Sequence, residues 1–278
     1  MTATGAWRDG TVTTSIGQVA YSVMGSDGDP VVLLHSLGLA RESWRPTAEP
    51  LAAAATVYAL DLPGHGDSPG PHLMLTIEDY AKVVADFCAA AGLERVHLVG
   101  NSFGSVVAAE VAARFPDLVA SLVLVGCPAW QDRTVREEWL HQRSTILLTP
   151  DGEACQVTRE LVASMFPVLQ DSYVDVVATG FAKAGAWIRN VMWALYAYDS
   201  TPTFGRITQR TLVVYGEHDW LQSTAPHLMS QLHDGTQVTI PGGAHMTPVN
   251  RPPELAAVIA DHVRSATSIE AGTGLRPA

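Results

Sequence analysis

Cysteine is scarce in this 278-residue chain: Cys88, Cys127 and Cys155 make an odd count at wide spacing, with no C-x-x-C pair. That pattern excludes a disulfide framework and a thiolate zinc site, and it suits a reducing, cytoplasmic setting. Positive charge is scarce too. Seventeen Lys and Arg against 28 Asp and Glu give a formal net charge of -11, with no basic run. A polyanion would be repelled, so neither nucleic acid nor an acidic membrane surface is expected as a partner. Residues 1–10 lack the apolar stretch of a signal peptide, and no apolar run approaches the length of a membrane span. His227 and His233 are six residues apart, off helical register, and read as surface residues rather than ligands. No metal or cofactor is expected, and no motif specifies an oligomeric state.

What the chain does have is an ordinary globular composition, 47% hydrophobic and 16% charged, with enough length for one large α/β domain carrying an insertion. Residues 18–23 alternate, and short apolar runs recur at 31–35, 56–60, 96–100, 122–126, 211–216 and 237–240. Runs of Val and Leu this continuous suit parallel strands covered on both faces. Helical spacing lies between them. At 77–91 the apolar residues Tyr80, Val83, Val84, Phe87 and Ala91 fall on one face, behind Thr76 as N-cap with Asp79 three residues on, a weakened capping box. Residues 105–115 and 253–263 read as further helices. Strand–helix alternation of this kind predicts a doubly wound, mostly parallel α/β sheet.

From Trp130 to about Arg206 the rhythm breaks into helical patterns without a buried strand, and this segment holds four of the seven Trp residues. It reads as a helical insertion over the carboxyl edge of a sheet formed by 1–129 and 207–266. Residues 267–278, with Gly272, Gly274 and Pro277, read as a disordered tail.

Chemistry concentrates at Gly100-Asn101-Ser102-Phe103-Gly104, a G-x-S-x-G run between a predicted strand and a predicted helix. A sharp strand-to-helix turn exposes the serine hydroxyl, and glycines two residues to either side leave room across the turn. The helix N-terminus behind it favours developing negative charge. A glycine-rich turn with a bystander serine is the plain alternative. Against it stand partners in the required order. Asp219 follows the run 211–216, and His245 follows the run 237–240, so both fall at strand carboxyl ends. Glu217 is the fallback acid. Asp61 and Asp67 follow an earlier strand.

These stretches, together with His35-Ser36-Leu37-Gly38 and the run from Asp61 to Ser68, resemble the α/β-hydrolase superfamily over roughly residues 10–265. The insertion matches that family's helical cap. The resemblance implies Ser102 as nucleophile, His245 as general base and then acid, and Asp219 as the group that orients and stabilises the imidazole. It further implies an oxyanion hole from the backbone N–H groups of Leu37 and Phe103, where losing one donor typically costs about 3 kcal/mol. The family commonly has glycine where this chain has Ser36. That side chain must fit beside the hole, and either donates to the substrate or is tolerated there.

A serine at the elbow argues against epoxide hydrolases and haloalkane dehalogenases, which use aspartate. Residues 36–38 and 121–130 look similar to 3-oxoadipate enol-lactonases, which implies hydrolysis of a carboxylic ester or lactone of a small to medium apolar acyl substrate. Gly100-Asn101-Ser102 also resembles carbon–carbon bond hydrolases of ring-cleavage products. Those usually carry a longer glycine-rich loop and a Trp after the histidine, where this chain has Met246. A cyclase or acyl transferase on the same scaffold, and a slow-turnover ligand-binding protein, complete the alternatives.

Trp130, Trp187 and Trp193, with Tyr196 and Tyr198, either line an apolar substrate pocket or pack the cap; the pattern is compatible with both. His35 and His65 read as turn-bonding residues, and Cys127 as a buried inert thiol.

Overall fold

The computed structural model describes residues 6–273. Among them, β1 (Arg8–Thr13), β2 (Gln18–Met24), β3 (Pro30–Leu34), β4 (Thr56–Leu60), β5 (Val96–Asn101), β6 (Val119–Val125), β7 (Thr211–Gly216) and β8 (Gly235–Ile240) form one sheet. Their order across it is β1-β2-β4-β3-β5-β6-β7-β8. β1 pairs with β2, and β2 with β4, antiparallel; every other pairing is parallel.

The continuous apolar runs have a direct cause. Successive residues of a strand point to opposite faces, and both faces of the central strands are covered. Val32, Leu34, Leu98, Leu122, Leu124 and Val213 enter one core, which helices Ile77–Ala90 and Phe103–Arg114 close with Tyr80, Phe87, Val107 and Val111. Their neighbours Val31, Leu33, Val99, Val123, Val125 and Val214 enter the other, closed by helices Arg45–Leu51 and Pro252–Thr273 through Ala48, Leu51, Leu255 and Ile259. The sheet is therefore doubly wound, as the alternation of patterns predicts. The capping box ahead of Ile77 forms in full: Thr76 N–H donates to Asp79 Oδ2 at 2.9 Å, and Asp79 N–H donates to Thr76 Oγ1 at 3.2 Å.

Two expectations need correction at the chain ends. β1 has no counterpart in the predicted strands. It is an exposed edge strand, so its residues carry no apolar run to betray it. The last helix continues to Thr273, so residues 267–273 are helical rather than disordered. Val263 and Ala266 keep its inner face buried, and Thr267 Oγ1 donates to Asp29 Oδ2 at 2.7 Å. The remainder of the expected tail, with Gly274 and Pro277, lies outside the described residues, as do residues 1–5.

Between β6 and β7 the chain builds helices Arg133–Leu147, Arg159–Met165, Asp171–Ala184 and Ile188–Ala197. They share a third apolar cluster, in which Leu140, Val162, Phe181 and Met192 pack with Leu39, Met246 and Val249 from the loops at the strand ends. Polar contacts tie this helical layer down: Lys183 Nζ to Asp67 Oδ1 at 3.0 Å, Trp187 Nε1 to the Tyr80 hydroxyl at 2.8 Å, and the Tyr198 hydroxyl to Glu110 Oε2 at 2.6 Å. No helix among the described residues is long and apolar enough to cross a membrane.

Candidate active site

The chain leaves β5 at Asn101 and enters helix Phe103–Arg114 two residues later, with Ser102 alone at the corner. Ser102 has φ 53° and ψ −114°, the only positive φ of a non-glycine among the described residues. Such a conformation costs on the order of 1–3 kcal/mol and persists only where its surroundings impose it. Here they do: Ser102 N–H donates to Val125 O at 2.8 Å, and Gly104 lies so close to β3 that a Cβ there would sit 2.3 Å from Leu34 O.

Asp219 and His245 arrive from the ends of β7 and β8, beyond β6. The loops after β7 and β8 are bonded to each other, His218 N–H to Gly243 O at 2.7 Å, which sets their spacing. Asp219 caps a short 3-10 helix, Trp220–Thr224, with Oδ1 accepting Leu221 N–H at 2.9 Å. Its two carboxylate oxygens lie 3.1 and 3.2 Å from His245 Nδ1, and Ser102 Oγ lies 2.9 Å from His245 Nε2. With Nδ1–H donating to the buried carboxylate, Nε2 is left to accept the serine proton. The three residues singled out in the sequence are thus in one hydrogen-bonded row.

Phe103 opens its helix, so its N–H has no intrahelical acceptor. Leu37 and Ser36 sit on the loop after β3 and line the same pocket as Ser102 and His245. The rest of that pocket is mostly apolar, with Trp139, Phe166, Phe181 and Met192 from the helical layer.

The tryptophans are distributed otherwise than expected. Trp187 packs on Gly64 and Gly70 and bonds Tyr80, holding the helical layer to the core. Trp193 is 43% exposed, on a separate outer groove with Glu110. Trp130 stands one layer behind the pocket, its ring 4.9 Å from that of Trp139. None of the three is among the residues that line the pocket. Trp139, Trp220 and Arg143 take the pocket positions instead. The sequence reading passed over all three; the signals it offered were that Trp220 adjoins Asp219 and that Trp139 and Arg143 stand four apart on one helix. The signal missed at Asn101 is subtler: its Nδ2 donates to Val125 O and, at 3.4 Å, to His245 O.

His35 is fully buried, with Nδ1–H donating to Ser36 O at 2.8 Å and Nε2 accepting Leu62 N–H at 3.0 Å. Burial lowers its pKa to about 4, and burial next to His35 lowers that of His65 to about 3. Both bind turns, as neutral rings. Glu217 is exposed and accepts Gly242 N–H, away from His245. Burial pushes the Cys127 thiol up to about 12, which leaves it protonated and inert. His227 is half-buried with Nε2 unpartnered, not a surface residue; His233 is exposed.

With this geometry in place, comparison with known proteins gives the class. Residues 29–153 match the alpha/beta hydrolase fold family. A Variovorax paradoxus protein named for carbamate hydrolysis, RutD, is 31% identical over 237 residues, 81% of this chain and 88% of that one. A pimeloyl-[acyl-carrier protein] methyl ester esterase of Chromobacterium violaceum is 29% identical over 250 residues, 86% of this chain and 95% of that one. The enol-lactonase of Burkholderia xenovorans superposes with a TM-score of 0.73 at 20% identity, over 92% of this chain and 100% of the other. Some curated relatives are matched over far less of their length, as with 29% of a Cupriavidus necator acetyltransferase component of an acetoin-cleaving system. The chain belongs to the α/β-hydrolase superfamily, and hydrolase-named relatives span most of its length.

Proposed function

We propose that this protein is a serine hydrolase that cleaves a carboxylic ester or lactone of a small to medium, largely apolar substrate through an acyl-enzyme. The observation that carries this reading is the unbroken row from Ser102 Oγ through His245 to the buried Asp219. In the proposed reaction His245 Nε2 takes the serine proton as Oγ attacks the carbonyl carbon, and the imidazolium is stabilised by Asp219. The carbonyl oxygen, now anionic, accepts from the Phe103 N–H at the helix start and the Leu37 N–H on the loop after β3. His245 then returns the proton to the leaving alkoxide. Water, activated by the same imidazole, releases the acid. The apolar walls around Ser102 support an acyl chain rather than a polar one.

The test is hydrolysis of a panel of p-nitrophenyl esters and simple lactones by wild type and Ser102→Ala, with phosphonate labelling read by mass spectrometry. Turnover and a Ser102 adduct, both lost in the variant, are expected. Labelling without turnover would redirect the search to carbon–carbon cleavage, cyclisation or acyl transfer. A folded protein that is neither labelled nor active would favour a ligand-binding role.

A further inference from the structure

One cation in the pocket has no counter-charge. Arg143, on helix Arg133–Leu147, lines the cavity that holds Ser102 and His245. Its guanidinium carbon lies 4.4 Å from the Trp220 ring centroid and 5.2 Å from that of Trp139. Other arginines of the same helix are spent within the protein: Arg133 on Glu137 and Arg136 on Tyr198 O. Arg143 forms no ion pair among the described residues, and burial alone acts on it, lowering its pKa. The indole rings engage its planar group by cation–π contact, but they accept none of its five N–H donors. Trp220 adds another donor on the same wall, an indole Nε1 that is buried without an acceptor. The half-buried guanidinium, without a protein acceptor, and the buried orphan indole donor face the same mostly apolar cavity, where an acceptor on a bound molecule would satisfy both.

Position selects the acceptor. The Trp220 ring also lies 4.6 Å from the His245 ring. A single indole therefore separates the guanidinium from the reacting centre. We propose that Arg143 binds a free carboxylate at the far end of the substrate's acyl chain, so that the natural substrate is an ester or lactone bearing a second, unesterified acid group across a short apolar spacer. This rests on the serine hydrolase reading and narrows its substrate class. A carboxylate is favoured because the guanidinium edge matches two coplanar oxygens bidentately.

The test compares monomethyl half-esters of the dicarboxylic acids from succinic to pimelic with methyl esters of monocarboxylic acids of equal length. At the best spacer, wild type is expected to favour the half-ester by at least about tenfold in kcat/KM, the scale of one charge-assisted contact. That ratio should collapse towards unity in Arg143→Met and be partly kept in Arg143→Lys, which retains charge without the fork. A wild-type ratio near one at every length, or a ratio unmoved by Arg143→Met, would overturn the proposal.

Binding is read apart from turnover by titrating glutarate, adipate and inorganic phosphate into Ser102→Ala and following tryptophan fluorescence. Saturable dicarboxylate binding that is lost on adding Arg143→Met supports the carboxylate site even if no ester is turned over, in which case only the hydrolase reading falls. Phosphate binding equal to that of adipate would overturn the carboxylate assignment.

Discussion

Gly126 makes room for His245. A Cβ on Gly126 would sit 3.1 Å from His245 Nδ1 and 2.9 Å from Asp219 Oδ2, and its backbone has φ +55°. Gly126 follows β6 and stands directly behind the aspartate–histidine bond. Gly126→Ala is therefore expected to push the imidazole off Asp219. Ester hydrolysis should fall by about a hundredfold or more, the cost of a misplacement near 1 Å. Full activity in the purified variant would show that the pair tolerates displacement.

Asp219→Asn should keep the fold, because an amide oxygen still accepts Leu221 N–H. It should lower kcat by about 10⁴-fold, through loss of the histidine tautomer and of the charge opposite the imidazolium. Glu217→Gln, altering an exposed loop contact, should leave the rate within a factor of two or so. The reverse pattern of rates would transfer the acid role to Glu217.

Ser102→Gly should abolish turnover and raise stability. Glycine relieves the positive φ, whose strain is about 1–3 kcal/mol. A rise in Tm of a few degrees is expected for a chain of this size. A fall in Tm would mean that the elbow is not strained.

His35 and His65 make the fold acid-sensitive. Each is held neutral by burial, with pKa lowered from 6.5 to about 4 and about 3. Below the unfolded value the unfolded chain takes up protons that the native state refuses, so stability drops as pH falls from 6.5 towards those values. At about pH 4.5 each histidine should have cost roughly 2–3 kcal/mol. Urea melts of wild type and His65→Leu across this range check it, since the variant should lose stability less steeply. Parallel profiles would rule out His65 as a source.

How far the site could be read from residues alone follows from what each residue depends on. Ser102 was legible because a strand–turn–helix imposes glycines at fixed offsets. Asp219 and His245 were legible because each stands within a few residues of the carboxyl end of a predicted strand. Trp187 and Trp193 were not assignable, because an apolar ring on a cap helix serves equally well as pocket wall, as inner packing against Gly64, or as an outer surface. Which of these holds depends on how the helices are rotated over the sheet, and no local pattern records that rotation.

The sequence by itself determined the doubly wound sheet and the order of the reactive residues, since both follow from burial on two strand faces and from turn chemistry a few residues long. Only the tertiary structure decided that Trp139, Trp220 and Arg143 wall the pocket, and that residues 267–273 continue a helix. Each of those depends on contacts between segments far apart in the chain, and such contacts exist only once the sheet and the helical layer have closed on one another.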